Sequence, residues 1–144
     1  MNLTSYFQPW SLSNIKKIGF EDMKTACDNN GISQYIIINT MNYDEQNCLI
    51  KNTININHEE KIINEIIDNY EIKKKKIIIY GKNCQDNSVE NKSKQLYNLG
   101  FSQIYIYMGG LFEWLLLQDI YGCDEFKTTT TVIDLLKYKP NKEL

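Results

Sequence analysis

Short runs of apolar, largely β-branched residues, set between stretches of helical spacing, most constrain what this chain folds into. Tyr35-Ile36-Ile37-Ile38 and Ile77-Ile78-Ile79-Tyr80 are apolar at every position, and Ile104-Tyr105-Ile106-Tyr107 repeats the pattern. A strand with one wet face alternates apolar and polar side chains. A continuous apolar run fits a strand covered on both faces. Residues 15–18 and 53–56 are two further short strand candidates.

The intervening stretches read as helices. In residues 20–28, Phe20, Met23 and Cys27 recur at helical spacing. In residues 59–69 the stripe is Ile62, Ile63, Ile66, Ile67 and Tyr70, and Glu59 and Glu60 in the first turn suit the helix dipole. Residues 88–99 point Val89, Ser93, Leu96 and Tyr97 inward, and Gly100 stands where a terminating glycine belongs. Residues 111–119 form a strongly apolar helix, and 132–137 a short one. Asn29-Asn30-Gly31 is a turn signal. Strands alternating with helices imply a central, mainly parallel five-stranded sheet inside a three-layer α/β/α sandwich. Sites in such sheets form at the carboxyl ends of the strands. That points to the loops after Ile38, Ile56, Tyr80 and Tyr107.

The 144 residues fit one domain spanning 1–144, with an N-terminal arm at 1–14, a core at about 15–118 and a C-terminal extension at 119–144. A net charge of −2 gives no reason to expect nucleic acid. No run has the length of a membrane span, and the N-terminus lacks a basic-then-apolar leader. The four cysteines, Cys27, Cys48, Cys84 and Cys123, are widely spaced without a Cys/His cluster. They read as free thiols of a reducing, cytoplasmic compartment, with no metal site and no cofactor. Arginine, the planar fork that grips phosphate and carboxylate, is absent.

Three segments, in order, resemble a rhodanese domain. Ile36-Ile37-Ile38-Asn39 lies where that family has its first core strand, which ends in Asp and soon an Arg; Asn39 and Met41 stand there instead. The segment from Cys48 to Asn57 resembles the family's Gly-His-Ile-x-Gly-Ala-x-Asn-Ile-Pro, matching at Ile50, Asn55 and Ile56 but without the Gly and His. Ile79-Tyr80 through Gly100-Phe101, followed by Gly109-Gly110 and Trp114, is similar to the family's active-site loop, helix and Gly-Gly-x-x-x-Trp. The resemblance implies a sulfurtransferase fold whose loop begins with the sulfur-accepting cysteine. Here that position is Gly81.

A rhodanese loop aims backbone N–H groups and a helix N-terminus at the sulfur. The corresponding cradle here is Gly81, Lys82, Asn83, Gln85, Asp86, Asn87 and Ser88, with Cys84 the one thiol in it. Cys84 lies near a helix start, and Lys82 favours its thiolate, whereas Asp86 opposes both the thiolate and an anionic donor. Two readings follow. One is a catalytically inactive rhodanese-like module for protein interaction or scaffolding. The other is a sulfurtransferase or persulfide carrier using Cys84 as a displaced nucleophile, with thiosulfate as the type of donor. A phosphatase of this fold uses Cys-x5-Arg, and Glu90 stands where the arginine belongs.

Other candidates have plainer readings. His58, the sole histidine, sits at a helix start beside two glutamates. Lys73 to Lys76 precede an apolar strand and act as gatekeepers against aggregation. Gly109-Gly110 turns strand into helix, Trp114 is core, and Cys27, Cys48 and Cys123 are buried or half-buried thiols. The aromatic residues Tyr6, Phe7 and Trp10, with those after Asp119, either pack the chain ends together or form a partner surface.

Overall fold

The structure, a computed structural model, describes residues 9–11, 15–29 and 34–144. Its strands are β1 (Lys16–Ile18), β2 (Tyr35–Asn39), β3 (Lys76–Tyr80) and β4 (Ile104–Tyr107). They form one sheet in the order β1-β4-β3-β2, every pair parallel. The helices are α1 (Phe20–Asp28), α2 (Glu59–Asp68), α3 (Ser88–Asn98) and α4 (Gly110–Tyr121).

The continuous apolar runs are explained by cover on both faces. On one face Ile37, Ile78, Tyr80 and Tyr107 pack with Met23 and Cys27 of α1 and with Leu111 and Trp114 of α4. On the other, Ile38, Ile77, Ile79, Ile104 and Ile106 pack with Ile63 and Ile66 of α2 and with Val89 and Leu96 of α3. Burying one such isoleucine contributes about 1.5–3 kcal/mol, so an uncovered face would forfeit most of the core. Gly100 ends α3 as its position predicts, with φ +107°. Its N–H donates to Tyr97 O and that of Phe101 to Leu96 O, the paired bonds that close a helix on a left-handed residue.

Among the described residues the sheet has four strands, not the expected five. Residues 53–56 do not form a strand. Thr53 makes one parallel bridge to Ile37, and Ile54 N–H donates to Ile37 O at 2.9 Å. The Asn55 side chain then accepts the Asn57 N–H and its carbonyl that of His58, turning the chain into α2 before a ladder forms. Tyr70 also departs from its predicted stripe. Helix α2 stops at Asp68, and Tyr70 takes φ 56° and points into solvent. The helix expected at 132–137 is a 3-10 turn at Leu135–Tyr138. Cys27 and Cys48 are buried as expected, but Cys123 is exposed. Of the N-terminal arm, Trp10 packs on the α2/α3 core. Tyr6, Phe7 and the Asn30-Gly31 part of the predicted turn lie outside the described residues. Among the described residues, no helix is long and apolar enough to cross a membrane.

Candidate functional site

Central strand β3 ends at Tyr80, and the loops after β2, β3 and β4 meet there. The Thr40 N–H donates to Tyr80 O at 3.0 Å. From the start of α4, Leu111 N–H donates to Gly81 O (2.9 Å) and Phe112 N–H to Lys82 O (3.0 Å). This docking needs Gly110, which has φ +68°. A Cβ there would stand 2.7 Å from Gly81 O and 2.9 Å from Asn83 N, both backbone atoms. The double glycine therefore serves close approach between α4 and the loop as well as the turn from strand to helix. The loop after Ile56 does not line the resulting pocket.

Asp86 organises the Gly81 loop. Its Oδ2 accepts the Lys82 N–H at 2.9 Å and its Oδ1 the Ser88 N–H at 3.0 Å. The Ser88 hydroxyl also donates to Oδ1, and Ser88 Oγ lies 2.7 Å from Thr40 Oγ1. The carboxylate thus takes the loop amides and caps the start of α3, where negative charge is favoured. It has room because residue 81 is glycine. A Cβ on Gly81 would stand 2.5 Å from Asp86 Oδ2 and 2.8 Å from its Cγ. The glycine at position 81 and the inserted carboxylate are two sides of one packing arrangement.

Lys82, Asn83, Gln85, Asp86 and Ser88 line a pocket of about 310 Å³. Cys84 is exposed and not part of that lining, and Asn87 is exposed beside it. Lys82 Nζ is 2.9 Å from the Glu45 carboxylate, so its charge is neutralised within the chain. The remaining contacts tie down the C-terminal extension. Asn83 Nδ2 donates to Tyr138 O at 3.0 Å, Gln85 Nε2 donates to Asn141 O at 3.2 Å, and the Asn141 N–H donates back to Gln85 Oε1 at 2.6 Å. The loop after Ile38, which the sequence pointed to, adds Thr40, Met41, Asn42 and Glu45 to the lining, whereas sequence reasoning missed Lys139 and Asn141. They come from outside the loop, and no local pattern marks them.

Asn39, the last residue of β2, is buried. Its Oδ1 accepts the Met41 N–H (3.1 Å) and Gln46 Nε2 (2.7 Å), while its Nδ2 donates to Gln46 Oε1 (3.0 Å). A neutral amide pair therefore shapes the loop after β2 without an ion pair. Below the pocket, Tyr80 OH accepts the Ile50 N–H at 3.1 Å and lies 2.7 Å from Thr53 Oγ1. Burial pushes the Tyr80 phenol upward against these hydrogen bonds, and burial with the adjacent Glu113 carboxylate does the same to Tyr107. Both phenols stay neutral, as structural donors and acceptors.

The sequence model of a family described as "Rhodanese-like domain" matches residues 20–117. No curated protein sequence matches the chain. Among solved structures, BH2092 from Bacillus halodurans is similar at 21% identity and TM-score 0.55, covering 74% of each chain. Ygr203w of Saccharomyces cerevisiae, described as a homolog of single-domain rhodanese and of the Cdc25 phosphatase catalytic domain, has 14% identity and TM-score 0.59, covering 90% of this chain and 96% of its own. A second structure of that yeast protein, described as a tyrosine phosphatase of the rhodanese family, has 15% identity and TM-score 0.53 over 87% of this chain and 99% of its own. Likeness at these identities shows the fold.

Proposed function

Because the chain belongs to the rhodanese-like domain family, we propose that it is a catalytically inactive member of it, a module acting through protein interaction. The observation that carries this reading is the Asp86 carboxylate on the Lys82 and Ser88 amides, in the space that a side chain at position 81 would need. A sulfur-transfer site needs those donors free for an anionic sulfur. A fixed carboxylate there repels thiolate and thiosulfate alike. Cys84 is exposed and does not line the pocket, and Lys82, the cation nearest to it in sequence, is spent on Glu45. The yeast neighbour's phosphatase description does not carry over, because a phosphatase of this fold needs an arginine that this chain lacks. An interaction role draws support from the extension beyond the family match, where Ile120, Tyr121, Ile133 and Leu136 are exposed.

The test is thiocyanate formation from thiosulfate and cyanide. The expected result is no turnover above a heat-denatured control, and none in Gly81→Cys, where the new Cβ meets Asp86. Wild-type turnover that disappears in Cys84→Ser overturns the reading and establishes a displaced nucleophile.

A further inference from the structure

At the amino end of the sheet, away from the Gly81 loop, lies a second pocket of about 360 Å³. Strand register builds it. Lys16, Tyr105 and Ile78 are consecutive partners across β1, β4 and β3. Lys76, two residues before Ile78, pairs with Tyr35 of β2. Paired residues share a face, as do residues two apart along a strand. Ile78 packs with Met23 and Ala26 of α1, so both rows lie on the α1 side of the sheet. Ile78, 3% exposed, is the buried floor, Tyr35 and Tyr105 are half-buried, and α1 supplies Asp22 to the lining.

The electrostatics are one-sided. Lys16, Lys17 and Lys76 all line the pocket, against the single carboxylate of Asp22. Among the described residues none of the three is in an ion pair. Lys76 Nζ lies 5.8 Å from the Tyr35 ring centroid, so an aromatic face and an ammonium already adjoin. Scattered surface lysines need no ligand. Here, though, the register sets Lys16 beside Tyr105 and Lys76 beside Tyr35, around the apolar floor of Ile78, and that combination suits an aromatic anion.

We propose that this pocket binds a small aromatic anion, such as an aryl phosphate or aryl carboxylate. The ring lies against Tyr35, Tyr105 and Ile78, and the charged group between Lys16 and Lys76. The inference goes beyond the interaction role and stands or falls without it.

The test is an NMR titration of the amide spectrum with phenyl phosphate, with inorganic phosphate and phenol as separate arms. Phenyl phosphate is expected to shift the amides of Lys16–Ile18, Tyr35, Ile78 and Tyr105 with a lower Kd than either fragment. Lys16→Ala and Lys76→Ala each raise that Kd about threefold or more, whereas Asp22→Asn lowers it. Retained shift dispersion shows that each variant is folded. Inorganic phosphate binding as tightly as phenyl phosphate, an unchanged Kd in both lysine variants, or no shifts at these strands overturns the proposal.

Discussion

The two ends of the sheet have handled charge in opposite ways. At the carboxyl end, Asp86 takes the amides of Lys82 and Ser88, Lys82 pairs with Glu45, and Asn39 clasps Gln46. At the amino end, three lysines line one pocket with a single carboxylate among them. The first end is where the fold's chemistry belongs, and here its donors are consumed internally. The second has no role in the fold's usual logic, yet its three lysines form no ion pair among the described residues. A fold family thus marks where a site forms; whether the site is open depends on which groups have found partners.

The largest test of the contrast is Gly110→Ala. The left-handed φ and the approach to Gly81 O and Asn83 N leave no place for a methyl group. The variant should lose about 3 kcal/mol or more of stability in urea unfolding, with the amides of residues 81–88 most perturbed. A near-neutral effect would falsify the close docking of α4 on the loop.

A pH series addresses α1, the helix that walls the amino-end pocket. Burial, and then the Asp28 carboxylate, pushes the Cys27 thiol from 9.0 up to about 11. Above pH 9 the unfolded chain releases this proton while the folded chain holds it, so the unfolded state binds fewer protons and stability falls as pH rises. This contribution is fully present below pH 9 and is lost as pH rises to about 11. The expected loss is up to about 2 kcal/mol. Cys27→Ala should flatten the slope in this window; an unchanged slope assigns the loss to other groups, such as the buried tyrosines.

The smallest effect, and the one most specific to the comparison, is that of Asp86→Ala. Losing the cap on α3 should cost about 1 kcal/mol. The freed amides should then respond to sulfate: in an NMR titration Lys82 and Ser88 shift in the variant and stay still in the wild type. Equal responses in both would show that Asp86 does not fill the cradle.

Much of the fold was legible in the chain. The runs ending at Ile38, Tyr80 and Tyr107 were readable as buried strands because a two-faced core leaves no polar position in them. Gly100 was readable because helix closure demands a left-handed residue. Residues 53–56 misled, since Thr53, Ile54 and Ile56 carry a strand's side chains while Asn55 carries a turn's, and the side chain of Asn55 won. Gly81 and Cys84 were singled out from the loop's residue types, and the structure sets Gly81 against Asp86 and leaves Cys84 exposed. Asp86 was read there only as a charge opposing a thiolate, because nothing local tells which amides a carboxylate will reach.

The sequence by itself determined the parallel α/β fold, the glycine at position 81 and the lack of any arginine. These follow from side-chain identity and short-range spacing. Tertiary structure decided what fills the space beside Gly81. It folded Asp86 over Gly81, led residues Tyr138 and Asn141 onto Asn83 and Gln85, and brought Lys16 beside Tyr105 and Lys76 beside Tyr35 to line one pocket. The physical reason is distance along the chain. Residues on different elements acquire a shared environment only through sheet register and helix docking, a carboxylate's choice of amides within a loop is set by how that loop is docked, and it is that environment that decides which donors and charges are left over.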